Sequence, residues 1–440
     1  MYNPSDPIML CDTTNIDNET WLRRRKHGNG ESPADDDYIP YTIGGSDVPI
    51  VLGLSPWTST SEFRDIKMGI IEKEDSSSDA TDSGHASETF VAINFLRYMA
   101  KEYPSVKVNL IKDCIKDIKS FLKNACPDED AYKEFCGMDN DVIKDFNKKW
   151  KYNPSAMYQC GTRNDTGELA YPFALANIDG LVEVNGRLGI FEAKTTSYER
   201  NKKTVSAYWQ KGLIPPYYYW QLIFYMAVMN LDFAYITCTW GMTLADTAVI
   251  LLERDLSVEE NLMNQLADFV NGMVLGLPLK EENSNYDPLS KFYARKYGPA
   301  KGKEANAIEL PEECGEYIKA AADIDRQISD LETAIANLRE ERNRTLVNLY
   351  PYMQDNSYAT LTTDTESYGV KLKTPCHRAS FNEEAFKNDH PDLYDQFSEP
   401  AFNVKLLEKA DPAMKTQYMK PGEIDTTKSP TFEVYVKEAS

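Results

Sequence analysis

Two features are missing from this chain, and each absence removes a class of protein. The eight cysteines include no Cys-x-x-Cys pair, which argues against a structural zinc site, an iron–sulfur cluster and a disulfide framework. No apolar run approaches the roughly 18 residues of a membrane span, and no secretory signal opens the chain. We therefore expect a soluble, cytoplasmic protein with reduced thiols and no membrane partner.

Excess positive charge is also missing. The chain has 48 Lys and Arg residues against 69 Asp and Glu residues, a formal net charge of −21. Such a charge repels the phosphate backbone at long range and argues against nonspecific binding of nucleic acid. Any nucleic-acid partner must meet locally basic residues or bound cations.

The centre of the chain predicts a β-hairpin. Apolar strand-like segments lie on either side of Asn185-Gly186, a pair typical of a tight hairpin turn. A helix that starts after Pro215 and Pro216, two further strands and a helix over 257–275 follow. Upstream, the sequence predicts a short buried helix that ends at Gly53 and a longer helix from Ser87. Together these segments indicate an α/β core.

Three other regions are assigned by composition and spacing. Residues 105–160 have apolar residues at helical spacing, and we interpret them as a mostly helical insertion. Residues 312–349 have a 4-3-4-3 apolar spacing from Ile324 to Leu338, which predicts a long amphipathic helix. This helix would pair either with another chain as a coiled coil or with a helix of its own chain. The tail, 358–440, is predicted to be a small α+β extension.

Three ionisable side chains converge in the predicted hairpin. Side chains alternate along a strand, so Glu192 and Lys194 share a face while Ala193 points the other way. Asp179 starts the neighbouring strand and is expected close to Glu192. Two carboxylates can hold Mg²⁺, and a lysine beside them can orient or help deprotonate an attacking water.

The alternative is a solvated strand face with an incidental ion pair. The apolar residues around these three groups weigh against that alternative, because placing charges among them costs desolvation.

This pattern resembles the PD-(D/E)xK nuclease fold and, within it, the lambda-exonuclease-like, YqaJ-type viral recombinase family. The segment GHASE resembles the G-x-x-x-E pattern of that family and identifies Glu88 as a further metal ligand. The segment WQLIFY is similar to its Q-x-x-x-Y signature, with Gln221 and Tyr225 one helical turn apart. The resemblance implies catalytic roles for both.

The resemblance extends toward the N-terminus. Trp21 and Arg25 match a W-x-x-x-R pattern, and IGGSD with Ser46 matches a glycine-rich G-x-S segment. The family implies that the arginine and the serine bind the 5′ phosphate of a DNA end. A longer acidic loop between them leaves Arg23 and Arg24 as alternatives to Arg25. Arg23, Arg24, Arg25 and Lys26, with bound Mg²⁺, would supply the local positive charge.

The resemblance also implies an architecture. It predicts a PD-(D/E)xK core, a central mixed sheet flanked by helices, in a nuclease domain over 1–305 that contains the insertion. A long amphipathic helix over 306–350 and a small α+β extension over 351–440 would follow.

By the same resemblance, the protein is expected to be an Mg²⁺-dependent nuclease, with Mn²⁺ as a substitute. It would degrade one strand of linear double-stranded DNA from the 5′ end and hand the exposed strand to a single-strand annealing protein. A homo-oligomeric ring is expected by analogy, in a phage or prophage protein of the bacterial cytoplasm. Two alternatives stay open: an endonuclease of restriction or repair type, and a non-catalytic DNA-end-binding protein. Closed circular DNA distinguishes the first alternative, because an endonuclease can cut it and an exonuclease leaves it intact.

Overall fold

The computed structural model describes residues 2–72, 79–112, 150–298, 308–371 and Asn388, apart from positions 15, 36, 104, 107, 242, 280–281, 355, 357 and 363–366. The chain divides into two compact units, Met1–Gly298 and Pro299–Ser440. No helix within these described ranges is long and apolar enough to cross a membrane.

The first unit has a mixed α/β architecture. Its helices are α1 (Asn18–His27), α2 (Val48–Val51), α3 (Thr60–Lys67), α4 (Asp79–Glu102), α5 (Tyr198–Ala207), α6 (Pro216–Met229), α7 (Leu256–Val274) and α8 (Tyr286–Tyr297). Its strands are β1 (Ile8–Asp12), β2 (Ile43–Gly44), β3 (Val108–Lys112), β4 (Ala156–Gln159), β5 (Ala174–Ala176), β6 (Gly180–Val184), β7 (Arg187–Thr195), β8 (Phe233–Thr239) and β9 (Thr247–Glu253).

The larger sheet has the order β3-β6-β7-β8-β9 and is mixed. Strands β7 and β8 run parallel, and the other neighbouring pairs run antiparallel. The turn between β6 and β7 has φ of 50° at Asn185 and 82° at Gly186, as a tight hairpin with two left-handed central residues requires. The predicted hairpin is confirmed, as are the helix after Pro216 and the two strands that follow it.

Each face of this sheet is covered by a different helix. Phe191 and Ala193 of β7 pack in a core with residues of α4, and the Phe95 and Phe191 rings lie 5.1 Å apart. Ile190, on the alternate face, packs in a second core with α6, which is buried over most of its length. Because Glu192 and Lys194 alternate with Phe191 and Ala193, they project from the α6 face of the sheet.

A smaller sheet supports the segment that contains Ser46. Its order is β1-β4-β5-β2, with β2 parallel to β5. The chain leaves β2 at Gly44, passes through Gly45 and Ser46, and enters α2, which packs against α6. This route brings the glycine-rich segment to the helix that also covers Glu192.

The expected helical insertion over 105–160 is wrong where the structure describes it. Val108–Lys112 is a strand that pairs antiparallel with β6, and Ala156–Gln159 is a strand of the smaller sheet. Val108 and Leu110 are buried in the α4-side core. A short apolar run does not distinguish a strand from a buried helix, and here a distant partner strand determines the outcome. Residues 113–149 lie outside the described residues.

The second unit contains the predicted long helix, α9 (Gly315–Val347), followed by α10 (Tyr350–Met353). Strands β10 (Tyr358–Thr362) and β11 (Ser367–Lys371) form an antiparallel hairpin. The apolar stripe of α9 is exposed within this unit at Ile324, Ile328, Leu331, Ile335 and Leu338. Its pairing with another helix stays a prediction, and the helix expected after β11 lies outside the described residues.

Candidate active site

The end of the hairpin brings Asp179, Glu192 and Lys194 together, and we call these three residues the hairpin cluster. Asp179 lies immediately before β6, and its Oδ2 accepts a hydrogen bond of 2.9 Å from the backbone N–H of Ala193. That bond fixes the Asp179 carboxylate against β7 at the position between Glu192 and Lys194. The close approach predicted from the hairpin geometry is therefore present.

The Glu192 carboxylate is almost completely buried, with 1% of the residue exposed. Its Oε1 accepts hydrogen bonds from Lys194 Nζ at 2.6 Å and from Gln221 Nε2 at 2.8 Å. Taking a carboxylate out of water costs several kcal/mol unless charge and hydrogen bonds compensate. Lys194 and Gln221 provide that compensation, and they hold the carboxylate in one orientation.

Lys194 carries its positive charge at neutral pH. Burial alone would lower the pKa of Lys194, but the negative charges of Glu192 and Asp179 outweigh that effect and raise it above its ordinary value of 10.5. The Nζ atom also lies 5.0 Å from the centre of the Tyr218 ring. An ammonium in this position can donate hydrogen bonds and offset negative charge.

Gln221 and Tyr225 lie one turn apart on α6 and form the floor of the site. Gln221 Nε2 also approaches Tyr225 Oη at 3.3 Å. Burial, followed by the charges of Glu192 and Asp179, raises the pKa of Tyr225, so its phenol stays protonated. A Cβ atom on Gly45 would overlap the Tyr225 ring, so only glycine fits beside Tyr225 in this packing.

The described part of the chain contains no group of three or more His, Cys, Asp and Glu side chains arranged to hold a metal ion. Glu88 lies on α4, which covers the Phe191 face of the sheet, whereas Glu192 projects from the other face. The expected set of three carboxylates is therefore not assembled in this structure. Asp179 and Glu192 remain a pair of oxygen donors, which suits a hard cation such as Mg²⁺ in donor chemistry.

A second group of polar residues lies around Ser46, and we call Arg25, Ser46, Asp47 and Lys67 the arginine cluster. Arg25 is in the last turn of α1, and its Nη2 donates to Ser46 Oγ at 2.7 Å. Its guanidinium carbon lies 5.1 Å from the centre of the Trp21 ring. The two residues matched to the phosphate-binding pattern are thus in direct contact.

Among the arginines of α1, the structure distinguishes Arg25 from Arg23. Arg23 Nη1 donates to the carbonyl of Gly30 at 3.4 Å, and its Nη2 lies 3.9 Å from Glu31. Arg23 therefore closes the loop after α1 instead of approaching Ser46. Arg25 is the arginine whose planar guanidinium is presented beside an exposed hydroxyl, an arrangement suited to a phosphate group.

Sequence reasoning missed Asp47 and Lys67. Asp47 Oδ2 accepts from the Gly44 backbone N–H at 3.0 Å and from Lys67 Nζ at 3.3 Å. Burial would raise the pKa of Asp47, but the charges of Lys67 and Arg25 lower it below its usual 3.8. Asp47 was visible in the IGGSD segment. No local signal identifies Lys67, which comes from α3 and reaches the loop only in the folded chain.

Residues 138–232 match the family model of the YqaJ-like viral recombinase domain, so the resemblance inferred from the sequence is confirmed over this segment. The match includes the hairpin cluster, Gln221 and Tyr225, and it does not include Arg25, Ser46 or Glu88. A search of curated proteins found no match.

Two solved structures show a limited similarity to the chain. The alkaline exonuclease of Laribacter hongkongensis has 12% sequence identity and a TM-score of 0.33, covering 53% of this chain and 89% of that one. A structure of that enzyme in complex with dAMP has 14% identity and a TM-score of 0.33, covering 58% and 93%. A TM-score of 0.33 does not establish a common fold.

Proposed function

We propose that this chain, which matches a YqaJ-like viral recombinase domain over residues 138–232, is a divalent-metal-dependent deoxyribonuclease with a core of the PD-(D/E)xK type. The observation that carries the proposal is the buried contact of Glu192 with Lys194 beside Asp179 at the end of the β6–β7 hairpin. Buried charges of this kind are costly, and their clustering is characteristic of catalytic sites.

Asp179 and Glu192 would hold Mg²⁺, with Mn²⁺ as a substitute. The bound ion would supply Lewis-acid chemistry at the phosphate and a more acidic water. Gln221 keeps the Glu192 carboxylate in place through its 2.8 Å hydrogen bond. Glu88 enters the proposal as an additional ligand through the family resemblance alone.

Lys194 acts as an ammonium. The two roles that we assign to it are the orientation and activation of the attacking water and the neutralisation of negative charge at the scissile phosphate. The phenol of Tyr225 and the amide of Gln221 brace these groups from α6.

Arg25 and Ser46 bind the 5′ phosphate of the DNA end. A guanidinium and a hydroxyl at hydrogen-bonding distance can share the oxygens of one phosphate. Asp47 pairs with Lys67 and accepts from the Gly44 backbone N–H, so these two residues hold the loop that presents Ser46. This assignment gives the direction of degradation, from the 5′ end toward the 3′ end of one strand of linear double-stranded DNA.

The biological role follows from the family resemblance. Degradation of one strand exposes the complementary 3′-ended strand, which a single-strand annealing protein uses for phage-type recombination in the bacterial cytoplasm. A homo-oligomeric ring around the DNA belongs to the same proposal.

The test uses two substrates in one reaction with Mg²⁺: a 5′-phosphorylated linear duplex labelled separately on each strand, and a closed circular duplex. The proposal predicts that one strand of the linear DNA is shortened from its 5′ end and that the circle stays intact. Cutting of the circle would indicate an endonuclease, and end binding without cleavage would indicate a DNA-end-binding protein.

Glu88→Gln should be compared with Glu192→Gln. Equal losses of cleavage support Glu88 as a ligand, and unchanged cleavage by Glu88→Gln removes it from the site.

A further inference from the structure

A row of three aromatic rings connects the protein surface with Lys194. Trp57 is 67% exposed, and its ring meets the Tyr217 ring edge-on at 5.4 Å. The Tyr217 ring lies 4.5 Å from the Tyr218 ring, which in turn lies under Lys194 Nζ. The row of rings therefore extends from Trp57 at the surface to Lys194 in the hairpin cluster.

The loop that carries Trp57 is held firmly although the side chain is exposed. The backbone N–H groups of Trp57 and Thr58 both donate to Ser55 Oγ at 3.2 Å. Ser55 is buried, and its carbonyl accepts from Asn285 Nδ2 at 3.1 Å. A large ring on a fixed loop can bind a flat ligand with little loss of conformational freedom.

The surface beside this row is basic, although the chain as a whole has a formal net charge of −21. Residues 199–211 contain four cations, Arg200, Lys202, Lys203 and Lys211, and one acid, Glu199, so their local charge is 4 − 1 = +3. All five are exposed. Val205 of α5 and Trp209 belong to the same buried core against which Tyr218 packs, and the Trp209 and Tyr218 rings lie 5.9 Å apart, which places the basic segment beside the aromatic row.

We propose that Trp57 stacks on an unpaired base of the DNA strand that is fed to the hairpin cluster, while the cations of α5 and Lys211 follow its phosphates. This inference rests on the proposed nuclease function and adds to it a positioning residue, Trp57, and a basic segment on the path of the strand to the hairpin cluster. Aromatic rings stack on any base and cationic grooves follow any backbone, so the contact is independent of sequence.

The geometry favours one strand over an intact duplex. Lys194 exposes only 19% of its side chain, so a phosphate must enter a recess to reach it. In a duplex the faces of each internal base are covered by its neighbours, so that beyond the terminal pair a base offers a free face to Trp57 when it is unpaired or displaced.

The experiment measures binding in EDTA, so that metal-dependent cleavage does not contribute. The probe is a 5′-phosphorylated duplex with a short unpaired 5′ end that carries 2-aminopurine, a base whose fluorescence responds to stacking. Wild type is compared with Trp57→Phe, which keeps a ring, and Trp57→Leu, which keeps only an apolar side chain. Tyr297→Ala removes a residue that is 75% exposed on α8 and serves as the matched control.

We expect Trp57→Leu to weaken binding about tenfold and to abolish the fluorescence change. Trp57→Phe should keep most of both signals, and Tyr297→Ala should match wild type. The double variant Lys202→Gln/Lys203→Gln should reduce the slope of log affinity against log salt by about 1.4. Thermal unfolding of each variant confirms that the fold is intact.

Two results would overturn the inference. One is a Trp57→Leu protein that binds and responds like wild type, and the other is an equal response when 2-aminopurine is placed in the paired region. Failure of the nuclease proposal is recognised separately. A wild-type protein that shows the expected stacking but never cleaves DNA contradicts only the nuclease proposal. A wild-type protein that cleaves DNA, together with a Trp57→Leu variant that binds and responds like it, contradicts only this inference.

Discussion

The hairpin cluster and the arginine cluster are built from different kinds of structure. Asp179, Glu192 and Lys194 belong to one β-hairpin, and their charges are recessed beneath α6. Arg25 and Lys67 come from separate helices, and Arg25 donates to the exposed Ser46 while Lys67 donates to Asp47. Burial makes each charge of the first cluster dependent on its partners. In the second cluster the same holds for Asp47 and Lys67, whereas the contact of Arg25 with Ser46 stays accessible to a ligand.

This difference suggests a division of labour. In a recessed site with little water, fixed charges act strongly on a developing transition state. At the surface, a guanidinium and a hydroxyl contribute chiefly to binding. We therefore expect changes in the hairpin cluster to affect the rate of cleavage, and changes in the arginine cluster to affect affinity.

The largest effect is expected for Lys194→Met. The cleavage step should slow about 10²–10³-fold in a single turnover, because the charge that faces the scissile phosphate is lost. The free energy of unfolding should fall by about 3–5 kcal/mol, since Glu192 is left buried without its cation. The matched control is Glu192→Gln/Lys194→Met, which removes both charges and should recover much of the stability without recovering cleavage. Rapid cleavage by Lys194→Met would place the chemistry elsewhere.

A smaller effect, confined to binding, is expected for Arg25→Gln. The KM for a 5′-phosphorylated duplex should rise about 10–100-fold, because a bidentate phosphate contact is lost, while kcat changes little. The same duplex with a 5′ hydroxyl should be used equally by the variant and the wild type. Arg23→Gln is the matched control, since Arg23 contacts Gly30 instead of Ser46. An equal effect of the two substitutions would contradict the assignment of Arg25.

The packing of Gly45 on Tyr225 joins the segment before Ser46 to α6, and an effect on stability is expected there. Gly45→Ala should lower the free energy of unfolding by about 1–3 kcal/mol, because the added methyl group displaces the Tyr225 ring. Gly272→Ala, in α7, meets nothing within 4 Å and should raise stability by about 0.5–1 kcal/mol through helix propensity. Urea unfolding measures the free energy of unfolding of both variants. A Gly45→Ala protein as stable as wild type would show that the Tyr225 ring moves aside at little cost.

The smallest effect is the pH dependence of the arginine cluster. The pKa of Asp47 is lowered in the folded state, so its ionisation stabilises the fold above its unfolded pKa of about 3.8, and that contribution is lost as the pH falls through the folded pKa. Wild type should exceed Asp47→Asn in stability by about 1 kcal/mol at pH 7, because a hydrogen bond between largely buried groups is weakened, with the difference shrinking below about pH 4. A difference that grows on acidification would contradict the ion pair with Lys67.

The hairpin cluster was predictable because its signals are local. Asn185-Gly186 specifies the turn, and strand alternation then places Glu192 and Lys194 on one face. The strand β3 was missed because its partner, β6, lies about 70 residues further along the chain, and no local pattern encodes that pairing. Long-range pairing of this kind is decided by tertiary packing.

The arginine cluster was predictable only in part. Motif resemblance identified Arg25 and Ser46, but the choice between Arg25 and Arg23 required the path of the loop after α1. Lys67 and Tyr218 gave no signal, because their roles come from contacts with Asp47 and Lys194 that exist only in the folded chain. The family resemblance also grouped Glu88 with Asp179 and Glu192, and the structure places Glu88 on α4, the helix that covers the other face of β7.

The most direct test of the central claim is single-turnover cleavage of a 5′-phosphorylated linear duplex by wild type and by Glu192→Gln, each with Mg²⁺ and with EDTA. Glutamine keeps the shape of the side chain and removes its charge. The account predicts that wild type degrades the duplex only with Mg²⁺, and that Glu192→Gln binds the duplex with wild-type affinity without degrading it. Cleavage by Glu192→Gln at the wild-type rate, or cleavage that persists in EDTA, would contradict a metal-dependent site at the hairpin.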